Sequence, residues 1–146
     1  MSYTGTQAQA GRGTTISIGA TPTLIGEVND FPFNRPKWDT ADVTNFQSGS
    51  DAEYIVTNRK ASTITIKGNR VAADTGQVAV EAAYQSGTVQ SFTVTLPKTS
   101  GQTSSGDKYV FNALVLSYDF ALAPTKEISF SIDLQISGAV AFTAGS

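Results

Sequence analysis

Residue types that could perform chemistry are sparse in this sequence. The 146 residues include no histidine and no cysteine, which removes the usual zinc, copper and haem ligands and every catalytic triad with a histidine base. Asp39, Asp42, Asp51 and Glu53 lie close together, but their spacing matches no calcium loop. No carboxylate pair stands beside an aromatic sugar platform, as a glycosidase would need. We therefore expect no catalytic site, no metal and no cofactor.

A glycine-containing segment and two lysines could be taken for functional sites, but neither matches the motif in question. Gly11-Arg12-Gly13 lacks the third glycine and the preceding strand of a phosphate-binding fingerprint, so it is better interpreted as the hinge of a disordered arm. Lys60 and Lys67 lie in or beside a candidate strand, where lysines commonly protect an edge. The formal charge of −2, from 10 basic and 12 acidic residues along the chain, does not indicate a nucleic-acid-binding face.

The chain length and composition predict one domain, residues 1–146, because 40% hydrophobic residues suffice for a core. No stretch approaches the roughly 18 consecutive apolar residues of a membrane helix, so we expect no membrane insertion. Residues 1–13 are polar and contain no apolar signal segment. We expect the protein to fold in the cytoplasm of the cell that makes it.

Alternation of apolar and polar residues with period two predicts strands over most of the chain. The clearest case is 127–137, where Ile128, Phe130, Ile132, Leu134 and Ile136 face one way. Further strands are predicted at 14–18, 23–28, 62–67 and 91–96, with a weaker one at 54–57.

One segment has helical spacing. Asp74 followed by Gln77 is a capping-box start, and Ser86-Gly87 ends the segment. The sequence therefore predicts a mainly β fold of two antiparallel sheets, packed as a sandwich or partial barrel with one flanking α-helix.

Two segments predicted as loops differ in character. Residues 98–108 contain no apolar side chain and are predicted to form a flexible, solvated tip. Residues 30–53 are too long for an ordinary connection, yet they contain Phe31, Phe33, Trp38 and Phe46. These aromatics must be buried either under their own domain or against another chain.

The strand predicted at 109–122 is apolar on both faces. Strict alternation puts Val110, Leu114, Leu116, Tyr118, Phe120 and Leu122 on one side, with Tyr109, Phe111, Ala113 and Val115 on the other. The second apolar face needs a cover, which is either the domain's own helix or a neighbouring subunit. The helix can cover one end of the strand while a neighbouring subunit covers the other.

The polar face of 127–137 is small, hydroxylated and acidic, without Lys or Arg. It includes Ser129, Ser131, Asp133 and Gln135. Such residues are typical of an ordinary solvent-facing strand. A surface of this kind also offers phosphates no cationic anchor, which would suit a channel for DNA.

The order of these segments resembles the major tail proteins, or tail tube proteins, of long-tailed bacteriophages, and more closely the non-contractile siphovirus kind. The resemblance covers about residues 13–140. It rests on a polar arm, the strand 13–19, the segment 24–28, a long loop, the strand 61–68, a helix ending at 83–87, the strand 92–97 and the end segment 123–132.

The resemblance implies a structural, non-enzymatic virion protein that forms stacked hexameric rings. It implies a lumen lined by one sheet of each subunit, with Ser129, Ser131, Asp133 and Gln135 as candidates for lumen-facing residues. The candidate inter-ring or inter-subunit contacts are Phe31, Phe33, Trp38, Phe46, Tyr109, Phe111 and Val115. Residues 1–13 and 140–146 would form flexible terminal arms.

The partners implied by the resemblance are other copies of the chain, the tape measure, the tail terminator and the distal tail or baseplate proteins. Double-stranded DNA would pass without specific binding. The protein would be located in the phage tail after assembly in the host bacterial cytoplasm. Two alternatives stay open: the inner tube of a contractile injection system, and a β-sandwich module that binds a receptor or a carbohydrate.

Overall fold

The computed structural model describes residues 11–99 and 101–146, and places nine strands and one helix in them. In chain order the elements are β1 (Thr15–Ile18), β2 (Thr23–Leu24), β3 (Val28–Asp30), β4 (Lys37–Asp42), β5 (Tyr54–Lys60), β6 (Thr63–Asn69), α1 (Thr75–Ser86), β7 (Gln90–Thr95), β8 (Lys108–Ala121) and β9 (Ser129–Thr143).

Seven of these strands form one antiparallel sheet in the order β2-β1-β7-β8-β9-β6-β3. Its two edge strands, β2 and β3, are joined by Ile25, Gly26 and Glu27 alone. Since so few residues span little more than about 10 Å, the two edges lie close together and the sheet curls into a partial barrel. The predicted mainly β class with one helix is confirmed, and the remaining strands, β4 and β5, pair only with each other.

The core lies inside the curl of the sheet and follows the predicted alternation. Ile64 and Ile66 of β6 and Ile132 and Leu134 of β9 are all fully buried. Helix α1 packs Val80 and Ala83 onto the same cluster. The period-two pattern was therefore a reliable guide to the buried side of these strands, because alternate side chains of a strand point to opposite faces.

A β-bulge in β8 overturns the prediction of two uniform faces for that strand. Val115 pairs with Leu134 and Ser117 pairs with Asp133, which leaves Leu116 as an extra residue. The bulge reverses the alternation beyond it, so Tyr118 is buried on the same side as Val115. The prediction that Tyr118 shares a face with Val110 and Leu114 is wrong for this reason.

The strand predicted at 23–28 is split into β2 and β3 by a sharp turn. Glu27 has a left-handed backbone with φ of 58°, and its carbonyl oxygen accepts a hydrogen bond from the Asn69 amide at 2.9 Å. A Cβ at Gly68 would lie within 2.2 Å of that oxygen. Only glycine permits the close approach of the turn to β6.

The N-cap and the final glycine of α1 are as predicted, but the Gln77 side chain accepts from the Val71 amide at 2.9 Å instead of completing a capping box with the Asp74 amide. The Asp74 carboxylate accepts a hydrogen bond from the Gln77 amide at 3.0 Å, and Gly87 ends the helix in the left-handed conformation. Both arrangements satisfy backbone groups that the helix itself leaves unpaired.

The C-terminal residues are attached to the domain, contrary to the prediction of a flexible arm at 140–146. Strand β9 continues to Thr143, and a backbone oxygen of Ser146 accepts hydrogen bonds from the amides of Thr103 and Ser104, both at 2.8 Å. The same contacts tie Thr103 and Ser104, within the segment predicted as a flexible tip, to the C-terminal residue. Most of the predicted N-terminal arm, residues 1–10, lies outside the described residues.

Candidate assembly surfaces

An exposed apolar surface lies on the hairpin of β4 and β5, which pair from Lys37 with Lys60 to Asp42 with Tyr54. Every residue of β5 is exposed, and the apolar side chains open to solvent are Trp38, Tyr54, Ile55 and Val56. Most of the predicted loop 30–53 is therefore strand β4 and the hairpin tip. Apolar residues on both faces of β5 gave no alternation from which this hairpin could be predicted.

Within this segment the four aromatic candidates divide into two pairs. Phe31 and Phe33 are half-buried against the protein's own core, and the Phe33 ring lies 5.3 Å from Tyr109. Trp38 is 54% exposed on β4, and Phe46 at the hairpin tip is fully exposed. The two explanations for buried aromatics thus apply to different residues: the domain itself covers Phe31 and Phe33, while Trp38 and Phe46 are free to contact another chain.

The cations of the hairpin lie at its base, whereas the charged residues of its tip are all acidic. At its base, the Arg59 guanidinium lies 4.9 Å from the centre of the Trp38 ring, and Lys60 forms an ion pair with Asp39 at 3.5 Å. Residues 41–58, which include the tip, contain no Lys or Arg. Hydrogen bonds from the Thr44 hydroxyl and amide hold the pKa of the Asp42 carboxyl below its ordinary value.

The candidates on β8 are only partly accessible. Phe111 and Val115 are 2% and 6% exposed and belong to the protein's own core. Tyr109 is half-buried, with its ring 5.2 Å from Phe142 at the end of β9. Leu116 follows the buried Val115 on the outward side and is 51% exposed, as strict alternation from Val115 predicts.

The outward face of the sheet carries the predicted polar residues of β9. Ser129, Ser131, Asp133 and Gln135 are all half-buried there. Asp133 accepts hydrogen bonds from the Thr65 hydroxyl at 2.9 Å and the Ser117 hydroxyl at 3.1 Å. These hydrogen bonds join β6, β9 and β8 into one hydroxylated surface.

The pairing of β6 with β9 adds a cation to this surface that the pattern of β9 alone did not predict. Lys67 stands opposite Ser131, and Asp119 of β8 flanks Ser131 on its other side. Lys67 lies two residues after Thr65, so the alternation in the sequence already places both side chains on one face of β6. That β6 lies next to β9 is decided only by the tertiary pairing of the strands.

Within residues 11–99 and 101–146 there is no group of three or more acidic side chains that could hold a metal ion. The helix found in this part of the chain falls short of the length and apolarity needed to cross a bilayer.

The chain matches no protein-family model and no curated protein. Its fold, however, is one found among the subunits of viral and virus-like tails. It aligns with a chain of the virion of a native gene transfer agent (GTA) particle with a TM-score of 0.75 and 22% identity, over 94% of this chain and all of that one.

Two tail structures give similar alignments. The tail of an empty GTA particle, refined with C6 symmetry, aligns at a TM-score of 0.74 and 23% identity over 94% of this chain and 100% of that one. The SPP1 tail tube aligns at 0.65 and 16% identity over 94% of this chain and 79% of that one. At these identities the likeness establishes a shared fold.

Proposed function

We propose that this chain is a structural, non-enzymatic virion protein whose copies assemble into stacked hexameric rings and form the hollow tail tube for delivery of phage DNA. The observation that carries the proposal is the β4–β5 hairpin, whose apolar side chains Trp38, Tyr54, Ile55 and Val56 are each more than half exposed among the described residues. An isolated two-stranded hairpin is marginal in water, so burial against other copies would stabilise it. The fold shared with tail structures supports the idea that other copies of this chain cover the hairpin.

The hydroxylated face of β6, β9 and β8 is the proposed lumen surface, with Ser129, Ser131, Asp133 and Gln135 as lumen-facing residues. Its hydroxyls, with Lys67 against Asp119 and Asp133, would neither hold nor strongly repel phosphates. DNA would therefore pass without specific binding.

The hairpin and the Tyr109 region would form the subunit contacts, with Trp38, Phe46 and Tyr109 as principal residues. Phe31 and Phe33 would support the hairpin from its base, since they pack on the core. Phe111 and Val115, being buried in that core, would act on assembly only through Tyr109 and the shape of β8.

The proposal places the protein in the tail of a phage, of the non-contractile type, assembled in the host bacterial cytoplasm. At the two ends of the tube its partners would be the tail terminator and the distal tail or baseplate proteins, with the tape measure inside during assembly.

Negative-stain electron microscopy of the purified protein tests the proposal. We expect rings or tubes at high protein concentration, because burial of the hairpin favours association. A monodisperse monomer or trimer, measured by light scattering at the same concentration, would contradict it and favour a binding module.

A further inference from the structure

A small cleft with apolar and polar walls lies between α1 and the end of β8. It has a volume of about 150 Å³, and its walls include Arg70, Val71, Val78, Glu81, Tyr118 and Phe120. Val71, Val78 and Phe120 remain exposed to solvent. This volume is about that of a cavity that accepts a benzene ring.

The side chain best suited to fill this cleft is Phe46 at the hairpin tip. It is the most exposed large apolar side chain among the described residues. A phenyl group that leaves water for the apolar walls of Val71, Val78 and Phe120 is stabilised by burial, and buried aromatic anchors commonly dominate the energy of an interface.

The cleft and the hairpin belong to opposite ends of β8. The segment that leads into the hairpin lies near Tyr109, since the Arg35 guanidinium is 5.3 Å from the centre of that ring. Phe120 lines the cleft, about 35 Å farther along the strand at the usual rise per residue. A hairpin that leaves the domain at one end and a cleft at the other can join successive copies head to tail, and such a contact repeats without closing on itself.

Charge favours the same pairing. The tip carries Asp42, Asp51 and Glu53 and no cation. The Arg70 guanidinium lies at the cleft, 5.0 Å from the centre of the Phe120 ring. Because Glu81 also lines the cleft, a tip carboxylate would be attracted to the Arg70 side.

We propose that Phe46 of each copy inserts into the cleft between α1 and the end of β8 of a copy in the next ring. This inference rests on the proposed tube assembly and names the contact that joins one ring to the next.

The test uses paired cysteines, because the chain has none of its own. In assembled tubes of the Phe46→Cys, Val78→Cys double variant, oxidation should link successive rings into a covalent ladder that extends beyond six copies on a non-reducing gel. The matched control is Val56→Cys with Val78→Cys, which moves the hairpin cysteine away from the tip and should give no ladder.

A ladder that stops at six copies, or one equally strong in the control, would overturn the inference, and so would oxidised tubes without any ladder. Tubes without the ladder would leave the proposed function intact, whereas an unmodified protein that forms no rings or tubes would defeat the proposed function itself.

A second pair of variants covers the case in which the cysteine variants fail to assemble. Phe46→Asp should lower the fraction of protein that sediments as tubes by about tenfold or more and leave unstacked rings, since a central aromatic anchor is lost. Phe46→Leu should retain tubes. Equal tube yields from Phe46→Asp and the unmodified protein would overturn the inference.

Discussion

At the scale of single residues, the Gln77 side chain is the main polar link between the helix and the sheet. It is 3% exposed. Its amide nitrogen donates to the carbonyl oxygens of Gly26 and Asn69, both at 3.0 Å, and its oxygen accepts from the Val71 amide at 2.9 Å. Gly26 lies in the turn between the two edge strands, so one side chain holds α1, this turn and the end of β6 together.

We predict that Gln77→Leu lowers the free energy of unfolding by about 3 kcal/mol, because it leaves three backbone groups without their partners in a buried place. Urea unfolding followed by circular dichroism measures this. Gln85→Leu, an exposed position on the same helix, is the control and should change stability little. Equal stabilities of the two variants would contradict this role of Gln77.

Tyr118 should cause the stability of the fold to fall at alkaline pH. Burial raises the pKa of its phenol above 10.0, and the carboxylates of Glu81 and Asp74 act in the same direction against the opposing effect of Arg70. Because the folded-state pKa is the higher one, the stabilising contribution is complete below pH 10.0 and is lost as the pH rises through the raised value.

We therefore expect Tyr118→Phe to lose less stability than the unmodified protein when the pH is raised through this range. Urea midpoints at a series of pH values measure the difference. Tyr54→Phe, on the exposed strand β5, is the matched control. Parallel pH profiles for Tyr118→Phe and the unmodified protein would remove Tyr118 as the cause.

At the scale of elements, the hairpin differs from the rest of the fold because it contributes little to the core. Its strands are held by their own pairing, by the contact of Arg59 with Trp38 and by the ion pair of Lys60 with Asp39. Exposed interactions of this kind contribute little stability. The hairpin can therefore be changed with small effect on the domain.

We predict that Trp38→Ala leaves the free energy of unfolding within about 1 kcal/mol of the original value, because little buried area is lost. It should impair stacking, seen as shorter tubes or free rings by electron microscopy. Asn58→Ala, on the facing strand, should leave both properties unchanged. If Trp38→Ala instead unfolds the domain, Trp38 belongs to the protein's own core and not to a contact surface.

At the scale of the whole molecule, apolar surface remains at both ends of the curled sheet, while the outward face between them is mainly hydroxylated, with Leu116 as an exposed apolar residue. The hairpin exposes Trp38 and Phe46, and the opposite end exposes Phe120 and Leu122. This polarity suits head-to-tail association, in which unlike ends bury each other. The polar face between the ends is then left for solvent or for DNA.

The lumen assignment leads to a prediction about charge. Ser131→Lys adds a cation beside Lys67 on the outward face. We expect tubes to form as before but DNA ejection from phage particles to slow, with the slowing relieved at higher salt, since cations hold phosphates electrostatically. If a bulky label attached to a cysteine at position 131 is accessible from outside intact tubes, Ser131 does not line the lumen.

The sequence alone determined the fold class, the helix with both of its caps, and the buried side of most strands. These features depend on short-range periodicity and on capping residues a few positions apart, which local chemistry fixes. Tertiary structure decided the bulge at Leu116, the placement of Lys67 opposite Ser131, the attachment of Ser146 and the folding of a presumed loop into a hairpin. Each of these depends on which strands pair and in what register, and that is set by contacts between residues distant in the chain.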